Sequence, residues 1–315
     1  MVIVVTGGAG FIGSQLVDEL LADGNEVRVL DDFSSGRMEF VAHHKSDKRF
    51  SLVKVDIRNI SAIKKSFRDC ETVYHLAANP DARKGISNTR LDLELETEAT
   101  YNVLESMRLS DAKEIIFSSS GTIYGETPVR PIPEDYGPVL PISLYGAGKL
   151  ASEGLISAFC GTFGMRAWIY RFANVVGPRM THGVIFDLVN KLDKNKSELE
   201  VLGDGTQSKP YVHASDCING ILFGKKASKD QLNVLNVGVE GATSVSKIAE
   251  TVISEMGLKG CKIRYTGSER GWPGDVPQFR VDVRKMTQLG WRAKHSSDEA
   301  VKRAIRELLG ERKRK

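Results

Sequence analysis

Two side chains that could move a proton lie four residues apart, at Tyr145 and Lys149. The surrounding residues predict the start of a helix, and an i, i+4 spacing places the phenol and the ammonium on one helix face. A phenol with an ordinary pKa of about 10 is a weak base near neutral pH, but a neighbouring positive charge favours the phenolate. We therefore expect Lys149 to lower the pKa of Tyr145, so that the tyrosine can shuttle a proton.

Hydroxyl side chains precede this pair at the end of a predicted strand. They are Ser118, Ser119, Ser120 and Thr122. Ligands of doubly wound sheets bind at the carboxyl edge of the strands. Hydroxyls at this edge could grip an alcohol of a substrate.

A glycine-rich turn follows the first predicted strand. Gly7, Gly10 and Gly13 satisfy GxxGxxG, and Gly8 with the last two satisfies GxGxxG, directly before a helix predicted to continue to about residue 23. Such a turn lets backbone amides and the positive end of the helix dipole meet a pyrophosphate. The sequence therefore predicts a dinucleotide site near the start of the chain.

An acid at the end of the second predicted strand indicates whether the dinucleotide is NAD or NADP. Asp31 lies 18 residues beyond Gly13, where this fold places an acid that hydrogen-bonds the adenosine ribose hydroxyls and repels a 2′-phosphate. This favours NAD over NADP, although Arg37 could reach the same region. Asp56 and Ile57, after the third predicted strand, are expected to contact adenine.

The elements that must position these residues follow an alternating pattern. Short β-branched runs alternate with helical patterns over the first 120 residues, which is typical of βαβ units. The sequence predicts an α/β fold with a doubly wound, Rossmann-like parallel sheet and a smaller mixed α/β lobe. The predicted strands are 2–5, 26–30, 51–55, 72–76, 114–118, 167–172 and 234–237. Later helices are predicted at 184–192, 245–256 and 298–309.

Two regions divide this predicted fold. We expect a NAD-binding domain over residues 1–176 and a substrate-binding lobe over 177–315, interleaved because no linker composition separates them. Five of the ten prolines lie between residues 125 and 144, which predicts a loop there.

Charge and hydropathy exclude several classes of protein. The net charge is +4, but the last fourteen residues carry seven Lys/Arg and two Glu, so the rest of the chain is close to neutral. Nucleic-acid-binding proteins spread basic residues over a binding surface, so basic residues confined to the tail argue against this class of protein. We expect the tail to be a frayed, solvated helix end. No apolar stretch approaches the ~20 residues that span a bilayer, so we expect a cytoplasmic protein.

The potential metal ligands are scattered. His75, His182 and His213 lack the spacing of a metal site, and the cysteines show no CxxC pairing. We predict no metal and reduced cysteines in the core, at Cys70, Cys160, Cys217 and Cys261.

The glycine turn, the serine cluster and the YxxxK pair together resemble the extended short-chain dehydrogenase/reductase family. Within it the chain is most similar to the UDP-glucose 4-epimerases. The matching segments are TGGAGFIGS at 6–14, DIRN at 56–59, HLAA at 75–78, SSSGTIYG at 118–125, YGAGK at 145–149 and RFANVVGPR at 171–179. The resemblance implies inversion at sugar carbon four of UDP-glucose and UDP-galactose through a transient 4-keto sugar, with NAD regenerated in each cycle.

The resemblance also implies roles for individual residues. Tyr145 would be the base, Lys149 would tune it and hold the nicotinamide ribose, and Ser120, with Thr122 nearby, would orient the 4-hydroxyl. The residues expected to contact NAD are Gly7, Gly10, Phe11, Ile12, Gly13, Asp31, Asp32, Ser34, Ser35, Gly36, Asp56, Ile57, Leu76, Ala77, Ala78, Ser118, Tyr145 and Lys149. Those expected to contact the UDP-sugar are Ser120, Tyr145, Asn174, Val184, Ile185, Leu202, Lys209, Tyr211, Arg270 and Asp275.

Charged residues of the second lobe would hold the diphosphate. Lys209 stands where relatives often have Arg, which would supply the charge without the bidentate fork. Arg270 and Asp275 resemble a late segment that clamps the β-phosphate and ribose, although the Arg spacing departs from the bacterial pattern. Asn174 would hold a phosphate or the sugar, while Val184, Ile185 and Leu202 would flank the uracil and its ribose.

Three positions bear on the reaction and the sugar. Relatives that are dehydratases or decarboxylases carry a carboxylate after the serine cluster, where this chain has Gly121, and this favours plain epimerisation. Phe279 falls near the position where a bulky side chain excludes N-acetylated sugars. Glu96 stands where many relatives have an asparagine contacting the cofactor, and because a carboxylate would repel a pyrophosphate, we expect this helix to be displaced or solvated.

The sequence leaves two other functions open. The chain could act on another nucleotide sugar, such as a UDP-uronate or a UDP-N-acetylhexosamine. The basic tail also motivates a non-catalytic, NAD-binding or RNA-binding relative, against which the intact Tyr145 and Lys149 weigh. The resemblance implies a homodimer, formed by the predicted helix 91–109 and the helix beginning near Tyr145.

Overall fold

The computed structural model describes residues 2–313. Within this range a seven-stranded parallel sheet has the strand order β11-β6-β5-β4-β1-β2-β3, which confirms the predicted doubly wound α/β fold. The order reverses beside β1, so the loops after β1 and β4 open a crevice at the carboxyl edge. The strands are β1 (Val2–Thr6), β2 (Glu26–Asp31), β3 (Phe50–Lys54), β4 (Cys70–His75), β5 (Glu114–Ser120), β6 (Arg166–Phe172), β7 (Asn174–Val176), β8 (Glu198–Val201), β9 (Ser208–Lys209), β10 (Tyr211–His213), β11 (Leu232–Val237), β12 (Thr243–Ser244) and β13 (Lys262–Tyr265).

The six strands predicted before residue 176 are confirmed, each within two residues at either end. Their nearly continuous apolar sequences follow from burial on both faces of the sheet. Strand β11 lies beyond the predicted domain boundary at residue 176, yet it pairs with β6 from Leu232 opposite Ala167 to Val237 opposite Phe172. The sheet therefore takes its edge strand from the later part of the chain.

Helices cover both faces of the sheet and build the second lobe. They are α1 (Phe11–Ala22), α2 (Ile60–Ile63), α3 (Lys84–Ser87), α4 (Arg90–Asp92), α5 (Ala99–Arg108), α6 (Leu144–Phe163), α7 (Val184–Lys194), α8 (Ala214–Ala227), α9 (Val245–Glu255), α10 (Arg284–Leu289) and α11 (Ser297–Lys313). Helices α1 and α8 bury their apolar faces on one side of the sheet, and α5 and α6 on the other. Helices α7, α9 and α11 form a separate core in the second lobe.

The predicted single helix over residues 91–109 is interrupted. A π-helical segment, Leu93–Glu98, connects α4 to α5. Such segments widen the helix by one residue per turn and are frequent at functional sites. In this protein the π-helical segment contains Glu96, whose side chain is buried.

The C-terminal tail differs from the predicted frayed end. Helix α11 continues to Lys313, the Glu311 carboxylate accepts a hydrogen bond from the Arg179 amide, and Arg312 forms an ion pair with Asp193. Arg314 and Lys315 lie outside the described residues. The last described turn is therefore anchored on the protein by both of these contacts.

The structure also shows the burial of the four cysteines and the hydropathy of the helices. Cys70, Cys160 and Cys217 are buried as predicted, whereas Cys261 is only half-buried. Among residues 2–313 no helix is long and apolar enough to cross a membrane.

Candidate active site

A cavity of about 970 Å³ lies at the carboxyl edge of the sheet and extends to the second lobe. Its wall contains the residues after β1, β2, β4 and β5 on one side and parts of α7, β9 and β10 on the other. All but two of the predicted site residues line it; the exceptions are Gly36 and Arg270. Sequence positions more than 250 residues apart thus meet in one volume.

The glycine turn leaves the backbone amides of α1 open to this cavity. Gly7 has a φ of +68°, and a Cβ on it would lie 2.7 Å from the Ala77 amide nitrogen. A Cβ on Gly13 would lie 2.1 Å from the Gly7 carbonyl oxygen, so only glycine allows this packing. Gly10 caps the twelve-residue helix α1 without a side-chain hydrogen bond, which leaves the helix N-terminus free to hold a pyrophosphate.

Asp31 ends β2 in the cavity wall. Its carboxylate accepts hydrogen bonds from the amides of Ala9 and Phe33, at 2.9 Å each. Gly36 lies behind it, because a Cβ there would come within 2.6 Å of the Asp31 carboxylate. Arg37 points elsewhere and contacts Glu39 at 3.4 Å. The glycine turn and this buried acid fit NAD.

Tyr145 and Lys149 begin α6 because Ser143 caps the helix, its hydroxyl accepting a hydrogen bond from the Gly146 amide. Both side chains reach the cavity, where the Lys149 Nζ lies 5.7 Å from the centre of the Tyr145 ring. Ser120 is hydrogen-bonded to the Tyr145 phenol and also accepts a hydrogen bond from the Thr122 hydroxyl at 3.0 Å. The predicted catalytic residues therefore come together.

Lys149 is fixed by two partners at the cavity floor. It donates to the Ser118 carbonyl at 2.8 Å and lies 2.9 Å from Glu96 Oε2, with both charged side chains 1% exposed. The second contact is an ion pair between two buried charges. Glu96 is thus not solvated, contrary to one of the two outcomes predicted from sequence, and it does not line the cavity.

In the protein alone the pKa of Tyr145 is raised, whereas the sequence predicts that Lys149 and a bound nicotinamide together lower it. Burial raises it, and the carboxylates of Glu96 and Asp92 raise it further, while the hydrogen bond with Ser120 lowers it. The ammonium that was expected to lower it is paired with Glu96. Burial likewise raises the pKa of Glu96, which Lys149 partly opposes.

Lys209 and Asp275 form an ion pair in the part of the cavity where the sequence predicts the UDP-sugar. Lys209 contacts Asp275, and both line the cavity with Asn174 and Tyr211. Val184, Ile185 and Leu202 also line it. These predicted positions are confirmed as members of one cavity wall.

Arg270 does not line the cavity, unlike the other residues predicted for the diphosphate. Its guanidinium forms an ion pair with Glu126 at 2.7 Å and donates to the Asp275 carbonyl at 2.8 Å, outside the cavity wall. Trp272, two residues further on, lines the cavity instead. The unusual spacing of the arginine was the available signal.

Sequence reasoning missed Asn79, a buried polar residue that contacts Glu96 and Asp92. Asn79 donates its amide N–H to Glu96 and its side-chain N–H to Asp92, both at 2.8 Å. Two close-packing glycines could have indicated this region. A Cβ on Gly148 would lie 2.8 Å from the Cβ of Glu96, and one on Gly85 would lie 2.4 Å from Asp92 Oδ2.

One trio of potential metal ligands lies within 4.8 Å among the described residues, at Asp18, His43 and His44. Both histidines contact Asp18 Oδ1, and Arg179 contacts Asp18 Oδ2 at 2.8 Å. His75 is fully buried between Thr6 and Thr100, and burial lowers its pKa to about 3, so it is a neutral hydrogen-bonding residue.

Comparison with known proteins gives consistent matches over the whole chain. The model of the NAD dependent epimerase/dehydratase family matches residues 3–238. A putative UDP-glucose 4-epimerase from Methanocaldococcus jannaschii is 32% identical over 309 residues, which cover 96% of this chain and 97% of that protein. A crystal structure of a UDP-galactose 4-epimerase has 39% identity and a TM-score of 0.89 over 99% of both chains. The structure of MoeE5 with UDP-glucuronic acid and NAD has 27% identity and a TM-score of 0.86, over 99% of this chain and 100% of the other.

Proposed function

The chain belongs to the NAD-dependent epimerase/dehydratase family, and we propose that it interconverts UDP-glucose and UDP-galactose by inverting carbon four of the sugar. The observation that carries this proposal is the meeting of Ser120, Tyr145 and Lys149 with the glycine turn in one cavity. That arrangement places a proton acceptor, a hydroxyl and a dinucleotide site side by side.

The protein's own residues handle the proton. Tyr145 takes the proton of the sugar 4-hydroxyl, which Ser120 orients, and gives it back after inversion. NAD held by the glycine turn and Asp31 would supply the hydride acceptor and donor for carbon four, so that a 4-keto sugar could form without an external oxidant. Lys149 would hold the nicotinamide ribose, and Lys209 with Asn174 would bind the UDP moiety.

The pocket beside Ser120 supports an unsubstituted hexose. Phe279 lies so close to Gly121 that a Cβ on the glycine would come within 2.0 Å of the ring. The ring therefore occupies volume that an N-acetyl group would need. Gly121 also leaves no carboxylate at this position for a dehydratase or decarboxylase reaction.

A UDP-uronate is the second candidate, because MoeE5 binds UDP-glucuronic acid. Such a sugar needs a cation for its carboxylate. Arg83 lines the cavity, but it is paired with Asp81 at 2.8 Å and with Asp187 at 3.0 Å. A uronate carboxylate would therefore compete with Asp81 and Asp187 for this arginine.

Incubation of the purified protein with UDP-galactose and no added reductant tests the proposal. The anomeric proton signals in NMR spectra are expected to show conversion to UDP-glucose. Tyr145→Phe is the control, and it should reduce the rate by on the order of 10²–10⁴, since it removes the proton acceptor. Absence of conversion with added NAD, together with turnover of UDP-glucuronate, would replace the hexose by the uronate.

We also propose that two copies pair through α5 and α6. Tyr101 on α5 and Phe163 on α6 are 45% and 42% exposed, and the Tyr101 ring meets Phe159 edge-on. A second copy would bury these rings. Light scattering on the same sample should give twice the mass of 34.7 kDa.

A further inference from the structure

A tight turn over residues 272–275 presents two side chains to the cavity. The Asp275 amide donates a hydrogen bond to the Trp272 carbonyl at 3.1 Å, and Pro273 and Gly274 are the two central residues. Gly274 has a φ of +93°, and proline followed by a glycine with positive φ is typical of a type II turn. Trp272 and Asp275, at the two ends of the turn, both line the cavity. The local sequence therefore fixes the position from which Trp272 faces the cavity.

Polar contacts hold this turn from behind and from the side. Arg270, outside the cavity wall, donates to the Asp275 carbonyl at 2.8 Å and forms an ion pair with Glu126 at 2.7 Å. The Asp275 carboxylate accepts a hydrogen bond from the Gly271 amide at 3.2 Å and contacts Lys209. The turn is thus anchored to the loop after β5 and to β9.

The turn also packs against the residues that precede Tyr145. A Cβ on Gly274 would lie 3.2 Å from the Ile142 carbonyl oxygen, 3.4 Å from the Ser143 Cβ and 3.0 Å from Cζ3 of the Trp272 ring. The indole therefore lies over the glycine, next to the start of α6. Ser143 is the cap of this helix, and Tyr145 is its second residue.

Trp272 consequently lies between the two groups that would hold the ends of the sugar. Tyr145 would take the proton of the 4-hydroxyl, and Lys209 would bind the diphosphate. The hexose joins these two groups in a UDP-hexose. We propose that the Trp272 indole is the binding surface for the hexose ring, which packs on the face of the indole. The inference rests on the proposed function and gives Trp272 a role in holding the sugar, with no part in the proton transfer.

The chemistry of the indole suits this role. The face of an aromatic ring carries partial negative charge, which attracts the weakly positive C–H groups on one side of a hexose. Within residues 2–313 the Trp272 N–H has no hydrogen-bond partner, whereas Trp168 donates to the Ser228 hydroxyl at 3.0 Å and Trp291 to Asn219 at 2.8 Å. The indole N–H of Trp272 is therefore available to a sugar hydroxyl.

Tryptophan fluorescence of the NAD-bound full chain tests the inference. Trp168 and Trp291 are 1% and 4% exposed and belong to the core, so Trp272 is the tryptophan that a ligand in the cavity can reach. UDP-glucose should change the emission because the sugar displaces water from the ring, and UDP, which lacks the sugar, should change it much less. Trp272→Phe should abolish the difference. No change with UDP-glucose, or an equal change with UDP, would overturn the inference.

Calorimetric titration of the same two ligands measures the energetic side. In Trp272→Ala the affinity for UDP-glucose should fall about tenfold, while that for UDP should stay within about twofold, since only the sugar loses an apolar surface. Trp272→Phe keeps an aromatic face and should lose less. Equal losses for both ligands, or an unchanged affinity for UDP-glucose, would overturn the inference. Should Trp272→Ala not fold, the fluorescence of the parent protein still decides.

Neither measurement requires turnover, so two failures can be distinguished. Sugar-dependent changes without conversion of UDP-galactose would overturn the proposed function alone. Conversion of UDP-galactose with no contribution of Trp272 to the binding of the sugar would overturn the role of Trp272 alone.

Discussion

Helix α6 carries two buried ion pairs one turn apart, and they are built differently. Lys149 pairs with Glu96 at the cavity floor, and Glu153 pairs with Arg171 behind the serine cluster. Both pairs are largely removed from solvent. They differ in how completely their hydrogen-bonding groups are used.

The Glu153–Arg171 pair is embedded in a saturated network. Arg171 contacts Glu153 through two nitrogens, at 3.1 and 2.8 Å, and also donates to the Tyr124 hydroxyl and the Glu134 carbonyl. Glu153 accepts a further hydrogen bond from Ser119. This network holds the end of β5, and therefore Ser120, from the side away from the cavity.

In the Lys149–Glu96 pair, the lysine lines the cavity and Glu96 lies behind it. A saturated buried pair fixes a scaffold, since every donor has an acceptor. The first pair holds the strand in place, whereas the second fixes a cation that lines the cavity.

The same substitution at the two glutamates is the strongest test of this difference. Glu153→Gln leaves Arg171 buried beside a neutral amide, and the free energy of unfolding should fall by about 3–5 kcal/mol. Chemical denaturation followed by circular dichroism measures this loss. A loss below about 1 kcal/mol would mean that the pair is not a scaffold element.

Glu96→Gln should cost less, about 1–2 kcal/mol, measured in the same way. Lys149 retains the Ser118 carbonyl, and Asp92 remains close enough to balance its charge. An equal loss at both glutamates would remove the distinction between the two pairs.

Asp92→Asn should raise stability at neutral pH, and the gain should depend on pH. Burial raises the pKa of Asp92 above its ordinary value of 3.8, so the ionised form destabilises the folded state. An amide avoids this cost, by about 1.4 kcal/mol for each unit of the increase. The gain is absent below the ordinary value, grows as the pH rises from that value to the raised pKa, and is complete above it.

Melting temperatures of Asp92→Asn and the parent protein between about pH 5 and pH 8 measure this effect. Asp230→Asn, at an exposed turn before β11, is a matched control with no expected change. A difference that shrinks as the pH rises would contradict the burial of an ionised carboxylate.

Local patterns defined much of the fold and part of the site. The strands of the large sheet contain short runs of β-branched and other apolar residues separated by helical patterns, so their positions followed from the local sequence. Tyr145, Lys149 and Ser120 were placed correctly because a helix spacing and a strand end fix where such side chains point. These are properties of neighbouring residues.

The errors concern contacts between distant parts of the chain. Glu96 was expected in solvent because nothing near it in sequence shows that Lys149, 53 residues later, would pair with it. Arg270 was assigned to the diphosphate by its position in a motif, but the loop directs it to Glu126. Charged side chains are long, and their partners are decided by tertiary structure.

The position of β11 has a consequence for the order of synthesis. Strand β6 has one edge paired with β5, and its other edge stays bare until residues Leu232–Val237 have been made. About three quarters of the polypeptide must therefore leave the ribosome before the sheet that carries the glycine turn is complete. A fragment ending at residue 176 would expose that bare edge to other chains, which is a known route to aggregation.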